Sequence, residues 1–119
     1  MSKIRILVTV NNDESNTTNE FDAIIQDETL KYIENKETTV IFSYLKNILI
    51  RENNELRMEY SFNENKKTKG IILVKEYNQE INVEVDTKSI KKENNNIEID
   101  FNVENNKFKY KVEVIKWVF

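Results

Sequence analysis

The chain of 119 residues has no cysteine, no histidine and no proline, and it contains a single glycine. Without cysteine there are no disulfides and no thiolate zinc sites. Without histidine the chain lacks the usual proton shuttle at neutral pH and the commonest metal ligand. Because these side chains perform much of enzyme chemistry, we predict a protein that is not an enzyme and that holds no cofactor or metal.

The sequence also has no large excess of charge of either sign. Lys and Arg total 18 and Asp and Glu total 21, for a formal net charge of −3. Proteins that neutralise nucleic-acid phosphates are usually clearly basic, so nucleic acid is not an expected partner. The chain has no apolar run of about 20 residues that could span a membrane and no signal-peptide pattern. We therefore expect a soluble, cytoplasmic protein with no membrane partner.

What the chain does have is strict alternation of apolar and polar residues. The clearest examples are Ile97–Val103 and Phe108–Val112. Apolar and polar residues alternate over most of the length, which predicts antiparallel strands with one buried face and one solvent-exposed face. A chain of this length can form one buried core without disulfides or metal ions to stabilise it. The sequence therefore predicts an all-β protein with a single domain over residues 1–119.

Asparagine takes the place of glycine and proline at the expected turns. It tolerates left-handed backbone better than most residues with a Cβ, and its side chain can hydrogen-bond the nearby backbone. The turn markers are Asn11-Asn12, Asn53-Asn54, Asn94-Asn95-Asn96 and Asn105-Asn106. The predicted strands cover residues 3–10, 20–26, 29–34, 38–45, 47–52, 55–63, 68–76, 79–87, 96–104 and 107–117.

Two segments are less defined by this pattern. Residues 11–19 are polar throughout and predict the longest loop. Residues 27–36 form either a strand or one short helix, because Leu30 and Ile33 lie at helical spacing behind an acidic first turn. Both alternatives are compatible with the neighbouring strands.

Ten short strands without crossover helices favour a closed antiparallel barrel in meander order, because closure removes exposed sheet edges. A two-sheet sandwich is the alternative. The residues predicted to face the interior are Ile4, Ile6, Val8, Phe21, Ile25, Val40, Phe42, Leu56, Met58, Tyr60, Phe62, Val83, Val85, Ile97, Ile99, Phe101, Tyr110, Val112 and Val114.

The region from Leu56 to Ile115 carries a family pattern. Its elements are a strand with Arg57, Met58 and Phe62, the segment Lys67-Thr68-Lys69-Gly70, the two final strands, and upstream the apolar strand ending in Arg51. This pattern resembles the YwiB-like family of bacterial proteins, small calycin (lipocalin-like) β-barrels with no established activity. The resemblance implies a calycin-type barrel and a small-molecule cavity. The chain departs from the family at turns, with Asn53-Asn54 in place of a glycine and Tyr77-Asn78-Gln79 in place of a Pro-aromatic-Gly turn.

Arg51, Arg57 and Tyr60 are the predicted ligand-binding residues. The chain otherwise prefers lysine, and the planar guanidinium binds carboxylate or phosphate through two parallel hydrogen bonds. If either arginine faces the barrel mouth, the ligand would be a small amphipathic or anionic molecule. A barrel-end arginine paired with a glutamate is the simpler alternative. A two-residue turn at Asn53-Asn54 would place Arg51 opposite Leu56 on the apolar face, whereas a three-residue turn would direct Arg51 outward, and the sequence leaves this choice open.

Two other patterns have simpler interpretations. Glu80, Asn82, Glu84 and Asp86 share one face of a strand, but a line of oxygens does not converge on a cation, so we expect a solvated face. Lys107, Lys109 and Lys111 alternate with Phe108 and Tyr110, which sends the aromatics to the opposite face and predicts core packing instead of nucleic-acid stacking. The function that competes with ligand binding is a protein-interaction or structural module with a solidly packed barrel.

The end of the chain gives two predictions about geometry. A turn at Asn105-Asn106 would place Asp100 opposite Lys111 and Phe101 opposite Tyr110. Alternation breaks at Val114-Ile115, so Ile115, Trp117 and Phe119 either return to the interior through a bulge or form an exposed interface patch. We predict the bulge with burial; the sequence leaves monomer or homodimer undecided.

Overall fold

Ten antiparallel strands form a closed barrel in the computed structural model, which describes residues 1–118. Each strand pairs with its neighbours in sequence, and β1 pairs with β10 to close the meander. The strands are β1 (Ser2–Asn12), β2 (Asn16–Gln26), β3 (Thr29–Asn35), β4 (Thr38–Ser43), β5 (Ile48–Glu52), β6 (Leu56–Ser61), β7 (Lys67–Val74), β8 (Gln79–Glu93), β9 (Asn96–Val103) and β10 (Asn106–Val118). The predicted fold class and the closed barrel are confirmed.

Within residues 1–118, helical structure is limited to one 3-10 turn at Lys75–Tyr77. Residues 27–36 therefore form a strand and not the alternative helix. Asp27 and Glu28 both adopt positive φ values, 52° and 59°, and make a tight turn that leads into β3. No helix in the described part of the chain is long and apolar enough to cross a membrane.

The predicted loop over residues 11–19 is wrong, because β1 and β2 continue to Asn12 and from Asn16. The side-chain oxygen of Asn12 accepts hydrogen bonds from the backbone N–H groups of Glu14 and Ser15, at 2.8 and 2.7 Å. An Asn side chain that satisfies two turn N–H groups allows a three-residue connection. Polar composition alone was therefore a poor guide to loop length here.

The last hairpin keeps the predicted faces but not the predicted register. Its turn is Glu104-Asn105, with φ values of 48° and 75°, and Asp100 lies opposite Lys109, not Lys111. Moving the turn by one residue shifts the pairing by two, which leaves every side chain on the same face. The observed register stacks Phe101 on Phe108, with ring centroids 5.6 Å apart.

Backbone contacts with β8 hold this turn in place. The N–H of Glu104 donates to the carbonyl of Glu84 at 3.2 Å, and the N–H of Glu84 donates to the Glu104 carboxylate at 2.9 Å. The turn is thus fixed by a neighbouring strand, information that the hairpin's own residues do not contain.

The predicted interior set is confirmed except for Leu56, which is 40% exposed. Leu56 begins β6 at the tip of a hairpin, where the strands reach past the packed interior. The buried apolar and aromatic residues that the predicted set left out are Ala23, Leu30, Tyr32, Leu49 and Val103. Phe108 and Tyr110 pack with this core, as predicted for the aromatics of β10.

A bulge does interrupt the pairing of β1 with β10. Ile6 pairs with Val114 and Arg5 with Lys116, which leaves Ile115 as the extra residue. Trp117 then lies opposite Ile4, on the inner face, but it stays 44% exposed and Ile115 stays 50% exposed. The predicted burial is therefore wrong: the pairing of β10 with β9 ends at Val112, so the last residues have a strand neighbour on one side. The predicted position of Phe119 lies outside the described residues.

Candidate functional site: a cavity at the open end of the barrel

The two ends of the barrel differ. The turns after β1, β3, β5, β7 and β9 surround one end, which we call the open end. The turns after β2, β4, β6 and β8 surround the other, which we call the closed end. Because every connection is a hairpin, alternate turns lie at the same end.

Apolar side chains and a loop fill the closed end. Ile4, Ile6 and Phe42 are each at most 1% exposed there. The loop after β6 folds back onto β8: the N–H of Asn65 donates to the carbonyl of Thr87 at 2.9 Å, and the N–H of Thr87 donates to the carbonyl of Lys66 at 3.1 Å. This half of the barrel is a solid core.

The open end contains a cavity of about 710 Å³. Most of its wall is apolar or aromatic, and the few polar groups come from β2, β3 and β5. The apolar and aromatic wall residues are Val8, Val10, Phe21, Tyr32, Val40, Leu49, Met58, Tyr60, Phe101, Phe108 and Tyr110. The large interior aromatics therefore do not fill this half of the barrel.

The single glycine helps to keep the space open. Gly70 lies opposite Val83, and a Cβ built on it would be 2.8 Å from Cδ1 of Tyr60 and 2.9 Å from Cγ2 of Val83. The Tyr60 ring lies against the backbone of β7 at Gly70. Any other residue there would put its side chain in the space that the ring occupies. The missing side chain of Gly70 lets the Tyr60 ring lie directly against β7, and in this position Tyr60 lines the cavity.

The other rings pack against one another along the wall. Phe21 stacks on Tyr32 with centroids 5.1 Å apart, and Tyr60 meets Phe101 edge to face at 6.2 Å. Offset and edge-to-face contacts of this kind add stability beyond area burial. The aromatic side chains are therefore held in place by neighbouring rings, without a ligand.

A pair of phenol groups lies in the cavity lining. The hydroxyls of Tyr32 and Tyr110 are 2.8 Å apart, and the two residues are only 2% and 5% exposed. Burial raises the pKa of both phenols well above the ordinary value of 10.0, so both are neutral at physiological pH. One hydroxyl donates to the other, which leaves the second O–H group as a donor for a third partner.

Arg51 lies on the inner face of β5, opposite Val40 and Met58, and it lines the cavity. Its guanidinium binds the Glu34 carboxylate through two nitrogens: Nε lies 3.1 and 3.0 Å from the two oxygens, and Nη2 lies 2.7 Å from Oε2. These hydrogen bonds raise the pKa of Arg51 above its ordinary value. The side chains of Arg51 and Glu34 are 45% and 25% exposed, so the pair sits at the rim.

The turn after β5 explains this orientation. Asn54 and Glu55 form its tip, and the side-chain oxygen of Asn53 accepts the N–H groups of Glu55 and Leu56 at 2.8 and 2.9 Å. The turn has the two residues of the inward alternative, but it is displaced by one position, so Arg51 pairs with Met58 instead of Leu56. Arg51 points into the barrel with the two-residue turn at either position.

Arg57 lies elsewhere. It is opposite Glu52 and Leu73 on the outer face, where it forms ion pairs with Glu52 at 3.8 Å and Glu59 at 3.5 Å. The structure therefore brings Arg51 and Tyr60 together at the cavity and places Arg57 outside it. The acidic line of β8 is also on the outer face, where Glu84 pairs with Lys67 at 3.5 Å.

Sequence reasoning missed two central residues of the site, Tyr32 and Glu34. Both belong to β3 and alternate with the buried Leu30, so a strand assignment alone would have placed them inward. The signal was present, but the open choice between strand and helix in this segment concealed it.

Comparisons with known proteins bear on the fold. No family model matches the chain, and no curated protein matches it. Among solved structures, the crystal structure of the ywiB protein from Bacillus subtilis is similar, with a TM-score of 0.60 and 14% sequence identity, over 93% of this chain and 87% of that one. At this identity the similarity establishes architecture, and the chain therefore has a YwiB-like barrel fold.

Proposed function

We propose that the protein binds a small, partly apolar ligand in the open-end cavity and that it has no catalytic role. The observation that carries the proposal is the cavity itself, about 710 Å³ beside a tightly packed half-barrel. Protein interiors are normally packed as densely as organic crystals. Ligand pockets typically measure roughly 300 to 1,000 Å³ and are lined mostly by apolar and aromatic groups. The open end fits that description.

The architecture supports this proposal. Barrels of about this strand number either fill their interior with side chains or hold one small ligand. Here side chains fill the closed end, and the open end has room for one small ligand. We extend the proposal to a calycin (lipocalin-like) type of barrel, as the sequence resemblance implies, acting in the cytoplasm as expected from the sequence.

Two of the three predicted residues have a place in the proposed site. Tyr60 forms part of the aromatic wall and Arg51 stands at the rim. The polar groups that we add are Glu34 and the hydroxyls of Tyr32 and Tyr110. Arg57 is left out because it lies on the outer face.

A neutral solvatochromic dye, such as Nile red, tests the proposal directly. The wild-type protein should bind the dye with a blue-shifted emission, and Val10→Trp should reduce binding because the indole would occupy cavity volume. The matched control is Ile33→Trp, on the outer face of β3, where the side chain is already 56% exposed. Thr17→Trp, at the cavity's rim, provides a second blocking variant if the first fails to fold.

Native mass spectrometry of protein purified from cells complements the dye titration. A retained small molecule that is absent from Val10→Trp and present in Ile33→Trp supports the proposal. Equal dye binding by the wild type and all three variants would exclude the cavity as the binding site.

A second candidate is a protein-interaction module that acts through the end of β10. Ile115, Trp117 and Val118 are 50%, 44% and 40% exposed. Large exposed apolar groups mark interfaces where they form a contiguous patch, and these three lie within four residues at the end of one strand. The oligomeric state in solution separates this candidate from the first.

A further inference from the structure

The five turns that surround the open end are rich in carboxylates. They contain six acidic residues and two lysines, a net charge of −4, against −3 for the whole chain. The acidic residues are Asp13, Glu14, Glu37, Glu55, Glu76 and Glu104. All are exposed, and the rest of the molecule carries a slight positive charge by difference. Charges of one sign around a concave site focus the potential at its entrance.

The two lysines in these turns do little to offset this charge. Lys75 is already paired with Glu52, a carboxylate of β5, at 2.8 Å. This hydrogen bond with Lys75 lowers the pKa of Glu52, which therefore keeps its negative charge. Lys36 is the other lysine, and it is followed directly by Glu37. The turns at the entrance therefore carry a net negative charge.

Inside the cavity, positive charge is present but already bound. Arg51 is the one cationic side chain among the cavity-lining residues that the structure describes. Its Nε and Nη2 groups are both committed to Glu34, with distances of 2.7 to 3.1 Å. The other N–H groups of Arg51 remain able to donate to an anion, but the Glu34 carboxylate cancels the charge of Arg51, and the carboxylates of the surrounding turns oppose an anionic ligand.

The cavity wall offers groups that suit a cation. Six aromatic rings line it, from Phe21, Tyr32, Tyr60, Phe101, Phe108 and Tyr110. The face of an aromatic ring attracts ammonium groups. The buried Tyr32 and Tyr110 hydroxyls, 2.8 Å apart, add neutral oxygens that can accept a hydrogen bond from an N–H group.

We propose that the ligand of the open-end cavity is a small amphipathic organic cation, with an apolar body inside the aromatic wall and an amine or ammonium group facing Glu34 and the acidic rim. This inference rests on the proposed function and reverses the anionic preference that Arg51 suggested in the sequence. The neutralisation of Arg51 by Glu34 is the reason for the reversal.

Three molecules with the same body and different heads test the charge preference: 4-phenylbutylamine, 4-phenylbutan-1-ol and 4-phenylbutyrate. Isothermal titration calorimetry at low ionic strength should give the order amine, alcohol, carboxylate, with the amine bound at least about fivefold tighter than the carboxylate. The ratio should shrink as salt is added, because the turn carboxylates are exposed and are screened over about a Debye length.

Glu34→Gln tests the assigned partner. It preserves the shape of the side chain and removes the negative charge that neutralises Arg51, so binding of the carboxylate should tighten and the amine-to-carboxylate ratio should fall severalfold. The matched control is Glu59→Gln, which removes the same charge beside Arg57 on the outer face and should leave the ratio unchanged. If Glu34→Gln does not fold, Glu37→Gln combined with Glu55→Gln, on exposed turns, should also lower the ratio.

The outcomes separate the two proposals. Carboxylate binding tighter than amine binding in the wild type overturns the inference. Binding of the alcohol with no gain for the amine also overturns it but leaves the proposed cavity function standing. No binding of any of the three, together with no dye binding, overturns both.

Discussion

The hydroxyl groups of Tyr32 and Tyr110 lie 2.8 Å apart although the two residues are 78 positions apart in sequence. This contact joins β3 to β10 across the interior of the barrel. It marks the boundary between the packed half and the open half, since both rings line the cavity and both are buried.

Removing one of these hydroxyls should destabilise the protein. Tyr110→Phe leaves the Tyr32 hydroxyl buried without its protein partner, which we expect to cost about 1 to 3 kcal/mol in the free energy of unfolding. Urea denaturation measures this change. The double variant Tyr32→Phe/Tyr110→Phe should cost less than the sum of the single variants. Strict additivity would show that the two hydroxyls do not interact.

Alkaline pH should unfold the barrel through its buried phenols. Burial raises the pKa of Tyr32 and Tyr110 in the folded protein, and it raises the pKa of Tyr44 to about 12. The unfolded chain loses these protons first, near pH 10, so stability is retained below that value and decreases as pH rises further. Denaturation followed between pH 8 and about pH 12 should show this decline. A Tyr110→Phe variant with an equally steep decline would argue against the assignment to this residue.

Gly70 should not tolerate a methyl group. In Gly70→Ala the added carbon would lie 2.8 Å from the Tyr60 ring and 2.9 Å from Val83, so we expect a loss of about 1 to 3 kcal/mol. Replacing the ring in the same protein, as Gly70→Ala/Tyr60→Leu, should recover part of the loss relative to the two separate changes. The test is chemical denaturation of the four proteins; independent effects would disprove the contact.

The aromatic wall should matter more to stability than the outer charged face. Phe101 is 5% exposed and contacts three other rings, so Phe101→Ala should cost about 3 to 5 kcal/mol. Lys111→Ala, whose ion pair with Glu113 is exposed, should leave the denaturation midpoint nearly unchanged. Comparable losses from both changes would contradict this division of the sheet into an inner and an outer face.

The end of β10 gives a prediction about assembly. We expect a monomer by light scattering, because the bulge at Ile115 directs Trp117 to the inner face, opposite Ile4. A dimer that reverts to monomer in Trp117→Ser, with the circular dichroism spectrum unchanged, would support the interaction-module candidate instead.

Alternation predicted the barrel from the sequence because a period of two is a property of each strand by itself. It also placed Tyr60 inward. Alternation could not identify which two residues form the last turn. The turn is Glu104-Asn105 and not the predicted Asn105-Asn106, because Glu104 binds the backbone of β8, a strand distant in sequence. The site was harder to predict than the fold, because the ion pair of Arg51 with Glu34 joins β5 to β3, and these strands lie on either side of β4.

Part of the cavity wall has a hydrogen-bonded neighbour on one side only. Residues 16–22 of β2 pair with β1, whereas the pairing of β2 with β3 begins at Ala23. Backbone with fewer ladder bonds opens at a lower free energy than the rest of a sheet. This stretch carries the wall residues Thr17, Asn19 and Phe21, and we expect it to show faster amide hydrogen exchange than the wall strands that pair on both sides. A ligand wider than the resting entrance would enter by displacing this stretch, so the rate of its local opening would limit the association rate.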